Sequence, residues 1–406
     1  MIRAKCPLSE VCATVGAWAA ATATIMAVLL AGCSGPPSAG TIREVAWLDN
    51  GEFLALIVMP LESSQSLDSA VVVVAQDGTL ARTVTVPGAT VGELSACADG
   101  HSLLCTSRPA PIGYGTEDDE EPRGWPWMDT DVGVITKAGE LELLDIHGSN
   151  HYPTCSPAGA EVAFLHSAGW PPLSDADVVD LDYGIWLFAF ETRSLRQVTN
   201  LTPRWYVEFP PQWSPDGQHL ALARAPDLLG DPEPLSRDIW VVDISCPSEQ
   251  QLTDVGDVRP LPVVWTPDGE SILFLRASGG EEAGSGPVPL SLWSVSVPQG
   301  VLRPVLSWAS LLRPRSRWDL AVSPSGTRVA VKSRTADTAG MALWIIDVRS
   351  GQAAEQIAIH SQIGQLSWSK DGALLAYIVD GEELWVADVR TGERASHSRR
   401  VFSLGR

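Results

Sequence analysis

The sequence predicts an all-β fold, a β-propeller of about seven four-stranded blades, and three observations predict it. A Trp-x-Pro-Asp-Gly-type turn recurs along the chain, an apolar strand follows each copy, and no helical periodicity separates the copies. The strong copies are Trp213-Ser214-Pro215-Asp216-Gly217, Trp265-Thr266-Pro267-Asp268-Gly269 and Trp368-Ser369-Lys370-Asp371-Gly372. Weaker ones are Trp47-Leu48-Asp49-Asn50-Gly51, Cys97-Ala98-Asp99-Gly100, Cys155-Ser156-Pro157-Ala158-Gly159 and Val322-Ser323-Pro324-Ser325-Gly326. Their glycines fall at 51, 100, 159, 217, 269, 326 and 372, at intervals of 46 to 59 residues.

Each copy is built to turn a hairpin. Proline presets φ at the second turn position, Asp or Ser satisfies turn backbone groups, and glycine takes the left-handed conformation that other residues avoid. A third strand follows, often with tryptophan, as in Ile185-Trp186-Leu187, Ile239-Trp240-Val241, Leu343-Trp344-Ile345 and Leu384-Trp385-Val386. A second turn such as Asp388-Val389-Arg390-Thr391-Gly392 leads to a weaker fourth strand. Four strands per repeat of this length are a propeller blade. The tryptophans at repeated positions, both in the turn motif and in the third strand, are expected to pack between sheets as scaffold.

The repeat resembles that of the TolB-like (WD40-like) β-propeller family, which runs tryptophan, Ser-Pro-Asp-Gly, an apolar strand, then an aromatic strand ending in Asp. The resemblance covers Thr41 to about Phe402 and implies the fold. It also implies work through partner proteins rather than chemistry, with no partner-binding residue carried over, because the loop sequences here match no motif.

The N-terminus reads as an export signal over residues 1–32: Arg3 and Lys5, an apolar run from Ala13 to Ala31, then Leu30-Ala31-Gly32-Cys33. The last four residues resemble the lipobox of bacterial lipoproteins, so Cys33 is the expected lipidation site and the body lies outside the cytoplasm, anchored to the cell membrane. Residues 33–40 form a Ser/Gly/Pro tether, and residues 41–406 the propeller.

A net charge of −21 repels phosphate backbones and excludes nucleic acid as the expected partner. The chain is read as a monomer. Cys97, Cys105, Cys155 and Cys246 form no CxxC pair. Cys97 and Cys105 flank one hairpin turn out of register, so free, buried thiols are expected.

Length varies most in the links from second to third strand, which in a four-stranded meander share one rim with the blade crossings; this rim is the expected binding face. These links carry 23 acidic residues against seven basic ones, where the chain as a whole has 49 and 28. Such a field suits a cationic envelope protein or wall component, or calcium as the one candidate cofactor. Trp125 and Trp127 stand beside five consecutive acids. Asp175, Asp177, Asp180 and Asp182 cluster as candidate calcium ligands, without the Gly and terminal Glu of an EF-hand loop. Arg204, Trp205, Tyr206, Arg315 and Arg317 sit on blade crossings, where the arginines suit a carboxylate at the channel mouth.

The enzyme readings are narrower. No Gly-x-Ser-x-Gly elbow, HExxH or phosphate-cradle motif occurs. His147, His151 and His360 lie on crossings that ring the channel mouth; their convergence on a metal would make a polysaccharide lyase, the alternative to a binding platform or a ligand-sensing propeller. No catalytic residue is assigned.

Overall fold

The computed structural model describes residues 40–48, 53–60, 69–75, 77–86, 89–97, 102–109, 130–136, 138–168, 183–201, 210–224, 238–255, 263–277, 290–307, 320–334, 340–348, 355–390 and 399–403. Their strands form seven four-stranded sheets. The first is β1 (Gly40–Trp47), β2 (Phe53–Pro60), β3 (Ser69–Ala75) and β4 (Leu80–Val86). The second is β5 (Ala89–Ala96), β6 (Leu103–Pro109), β7 (Asp131–Ile135) and β8 (Leu141–Leu143). The third is β9 (Ser149–Cys155), β10 (Glu161–Ser167), β11 (Gly184–Ala189) and β12 (Ser194–Gln197). The fourth is β13 (Gln212–Trp213), β14 (His219–Arg224), β15 (Asp238–Asp243) and β16 (Ser248–Gln251). The fifth is β17 (Val264–Trp265), β18 (Ser271–Ala277), β19 (Leu290–Ser296) and β20 (Leu302–Ser307). The sixth is β21 (Leu320–Val322), β22 (Arg328–Arg334), β23 (Met341–Asp347) and β24 (Glu355–His360), and the seventh is β25 (Ile363–Trp368), β26 (Leu374–Val379), β27 (Glu383–Asp388) and β28 (Arg399–Ser403). Among the described residues, every sheet is an antiparallel meander of consecutive strands, and none combines strands from both ends of the chain.

The turn motif does what its residues dictate. Ser214 O accepts from Gly217 N–H at 2.9 Å, and Gly217 sits at φ +70°, where a side chain is strained. The Ser214 hydroxyl donates to Asp216 Oδ1 at 2.5 Å and accepts from His219 N–H at 2.9 Å, while Gln218 N–H donates to Asp216 at 3.0 Å. Thr266 with Asp268, and Ser369 with Asp371, repeat this network.

Hydrophobic clusters sit between neighbouring sheets and run round a ring. Val71 and Leu103 join the first sheet to the second, Leu104 and Phe164 the second to the third, and Leu187 and Leu220 the third to the fourth. Val241 and Ile272, Leu273 and Val329, and Leu343 and Leu375 continue the series. Val72 and Ile378 then pack the first sheet on the seventh and close it. Val45 N–H also donates to Gln365 Oε1 at 2.7 Å across this closing junction. From the sixth sheet round to the fifth, the first strands of successive sheets pack on one another, so they form the inner wall. Gly40 pairs with Pro60, which places the start of β1 on the rim from which the second-to-third-strand links leave.

One expectation changes here. Cys97 and Cys155 are joined in a disulfide, and Cys246 is exposed; of the four, only Cys105 is a free, buried thiol. The hairpin partner, Cys105, was the wrong place to look, because radial stacking makes neighbours of equivalent positions in consecutive repeats. The third-strand tryptophans Trp186, Trp240 and Trp385 pack, half-buried, against the clusters between sheets, as expected. Trp240 carries the Arg224 guanidinium over its face at 4.7 Å, and Trp293 carries Arg276 at 4.8 Å. Arg224 stands two residues beyond Leu222, the register partner of Trp240, and so reaches the indole diagonally across the strand pair.

Candidate functional site at the turn-side mouth of the ring

Each first strand ends at the turn motif, and there the indoles reach across to the preceding sheet. Trp47 Nε1–H donates to Ser367 O at 2.8 Å, Trp213 to Thr154 O at 3.1 Å, Trp265 to Gln212 O at 3.0 Å and Trp368 to Ala321 O at 3.1 Å. In every case the acceptor is the residue just before the equivalent motif position of the neighbouring sheet. The indole bodies are buried (Trp47 5 %, Trp213 8 %, Trp368 8 % exposed), so each tryptophan combines apolar packing with a satisfied N–H. The second and third sheets carry cysteine at this position, and the Cys97–Cys155 bond makes the bridge that an indole makes elsewhere.

Between these groups a cavity of about 370 Å³ opens at the turn-side mouth. Its walls are Trp47, Trp213 and Trp368, the Cys97–Cys155 bridge, Leu48, Ala96 and Pro157, with Thr154, Ser156 and Gln212 as polar groups and the exposed Lys370 on the rim. A mainly apolar concavity with a few converging polar groups is how ligand sites are built. Reading the motif tryptophans as scaffold alone missed it. Their clamping role holds, and the same rings line the mouth. The detectable signal was cysteine standing in register with tryptophan in adjacent repeats.

Nearer the opposite rim, β25, β1, β5 and β9 each carry a bulge. A side chain at the bulge captures backbone N–H groups of the next sheet. Glu44 accepts from Glu93 N–H at 3.0 Å and Leu94 N–H at 2.6 Å, and Glu93 accepts from Tyr152 N–H at 2.6 Å. Glu93 and Tyr152 hold φ of +53° and +56°, the backbone twist that aims these donors.

The three histidines do not converge. His147 is exposed on the crossing from β8 to β9. His151 lies 3.3 Å from Glu93 Oε1 and 2.9 Å from the Ser149 hydroxyl. That spacing is nucleophile, base and acid in outline, yet Ser149 is 2 % exposed and its hydroxyl stays inside the junction. His360 packs on Tyr377 and Trp385 at the junction of the sixth and seventh sheets, where burial pushes its pKa down against Asp380 and Glu383. Among the described residues, no three His, Cys, Asp or Glu side chains come together as a metal site would need.

Among the described link acids, Asp131, Asp238, Asp380 and Glu383 have local partners: the Ser361 hydroxyl and Gln362 N–H donate to Asp380, and Trp385 Nε1–H donates to Glu383. Asp131 accepts from Val132, Asp145 and Ile146 N–H, and burial pushes its pKa up against those bonds. Asp238 holds the Thr253 hydroxyl and Val255 N–H, both at 2.8 Å. Both tie the start of a third strand to the exit of the fourth. Cys33, Trp125, Trp127, Asp175, Asp177, Asp180, Asp182, Arg204, Trp205, Tyr206, Arg315 and Arg317 lie outside the described residues.

No family model matches the sequence, and no curated protein matches it. Solved structures do. The β-propeller domain of the Trilobed protease from Pyrococcus furiosus, reported with an open velcro topology, is matched at TM-score 0.59 with 10% identity over 91% of this chain and 98% of that one. An oligogalacturonate lyase in complex with manganese is matched at TM-score 0.57 with 12% identity over 88% of this chain and 86% of that one. TolB from Acinetobacter baumannii is matched at TM-score 0.48 with 13% identity over 85% of this chain and 78% of that one. The first two establish an all-β propeller of four-stranded blades; fold likeness does not assign an activity.

Proposed function

We propose that this chain is a seven-bladed propeller of the cell envelope, held to the membrane through Cys33, whose work is binding at the turn-side mouth of the ring. The observation that carries the reading is the course of β1, which runs from the link-side rim to the cavity wall at the other face. β1 begins at Gly40 on the link-side rim and ends at Trp47 in the cavity wall. Cys33 precedes Gly40 by seven residues, a reach of at most ~25 Å. Acyl chains on Cys33 would therefore hold the link-side rim near the lipid and present the indole-lined mouth outward. The Cys97–Cys155 disulfide supports an oxidising compartment. This moves the expected binding face from the links to the turns.

The test has two arms. Growth with an alkyne-tagged fatty acid should label the wild type and not Cys33→Ala, which should leave the membrane fraction. A photo-crosslinking side chain at position 370, on the cavity rim, should capture a defined partner or ligand, while one at the exposed outer-strand position 359 should not. Equal capture at both positions would refute binding at the mouth.

A further inference from the structure

The Cys97–Cys155 bond differs from the four indole clamps in that its chemistry is reversible. It also differs in access. Cys97 is 7 % exposed and Cys155 is half-buried, and both line the open cavity. At about 370 Å³ that space exceeds roughly tenfold the ~30 Å³ share of one water, enough to admit a thiol. The Lys370 ammonium on the same rim attracts an anionic thiolate. Cys105 offers the contrast: fully buried in the second sheet, its thiol is pushed up to about 12 by desolvation.

We infer that the Cys97–Cys155 bridge is a thiol-exchange site, reduced by a dithiol that enters through the cavity, and that its reduction loosens the cavity wall between the second and third sheets. The incoming thiolate sulfur bonds to Sγ of Cys155, the more exposed residue of the pair, as the Cys97–Cys155 bond breaks. Cys97 Sγ leaves with the electron pair and takes a proton from water. The second thiol of the same dithiol then displaces Cys155 from the mixed disulfide. The dithiol is oxidised to a disulfide and the protein gains two thiols.

The junction survives because other contacts span it. Glu93 still holds Tyr152 N–H, Asn150 still holds Thr130 through its backbone N–H and its side-chain amide, and Phe164 still packs on Leu104. What is lost is the one covalent link at the mouth, in a position where four other junctions keep an indole.

The experiment uses the full chain in detergent, with exposed Cys246 alkylated first. Glutathione is added without denaturant, free thiols are trapped with iodoacetamide, and sites are read by peptide mass. Cys155 should carry glutathione in at least about tenfold excess over Cys97, which should be alkylated instead. Dithiothreitol should leave both cysteines alkylated while the melt stays cooperative; in a parallel arm, alkylation of both after reduced thioredoxin assigns the exchange to a protein dithiol as well, and its absence there to a small dithiol alone. Acrylamide quenching of indole emission should rise on reduction and be high without reduction in Cys97→Ser/Cys155→Ser. A bond that reacts only in denaturant, glutathione found mainly on Cys97, loss of the cooperative melt on reduction, or unchanged quenching would each overturn the inference. None of these readouts depends on Cys33 acylation or on a captured ligand, so exchange can fail while the binding reading stands, and the reverse.

Discussion

Replacing Cys97 and Cys155 together by alanine removes a cross-link between positions 58 residues apart. The chain-entropy relation for a loop of that size gives a loss of about 4 kcal/mol. Unfolding entropy of ~2.1 cal/mol/K per residue over residues 41–406 amounts to roughly 0.8 kcal/mol/K. If the ring melts as one unit, the midpoint should fall by about 5 °C, and further if the second and third sheets open as a separate unit. Calorimetry under non-reducing conditions measures this, with dithiothreitol-treated wild type as the matched case. Wild type should fall with reductant to the midpoint of the double variant, and the double variant should not respond. A fall below about 1 °C, or an equal fall in Cys105→Ala, would show that the bridge constrains nothing the other contacts do not already hold.

Other outcomes follow from single contacts. Trp213→Phe keeps an aromatic body but leaves Thr154 O without its indole donor, so chemical denaturation should show a loss of about 1–2 kcal/mol, against about 3–5 kcal/mol for Trp213→Ala. Glu93→Ala leaves Tyr152 N–H and His151 without their carboxylate and should cost about 2–3 kcal/mol, where Ala on the exposed Glu142 should cost almost nothing. The Ser214, Thr266 and Ser369 hydroxyls, then backbone N–H groups, hold Asp216, Asp268 and Asp371 below the ordinary value of 3.8. Depressed carboxylates contribute stability that is present above that value and lost as pH falls through their folded-state values. The melting midpoint should therefore drop in acid below pH 3.8, and less steeply in Asp216→Asn/Asp268→Asn/Asp371→Asn.

The hairpins were legible because their chemistry is local: proline, a short polar acceptor and a left-handed glycine specify Ser214–Gly217 without help from the rest of the fold. Radial stacking followed from the repeat spacing. The cavity was not legible for a non-local reason. Trp47, Trp213 and Trp368 are apolar residues at repeated positions, and burial of their bodies was the correct reading. That their rims also face a common axis depends on how many sheets close the ring and how far they tilt. The disulfide was missed by weighing Cys97 against its hairpin neighbour Cys105 instead of its repeat equivalent Cys155. The Glu44 and Glu93 captures depend on bulges in β1, β5 and β9, and nothing in strands as ordinary as Glu44-Val45-Ala46 announces an extra residue. Likewise Asp131 and Asp238, counted among the link acids, turn inward because each starts a third strand beside the chain's exit to the next sheet.

The orientation of the ring on the membrane can be measured directly. With Cys246 replaced by alanine, a donor dye is placed through a cysteine at the exposed Arg43, near the tether rim, or at Lys370, on the cavity rim, in acylated protein bound to vesicles with acceptor-labelled headgroups. The account predicts markedly stronger transfer from position 43 than from position 370. Equal transfer, or stronger transfer from position 370, would contradict it, because the turn-side mouth would then face the lipid.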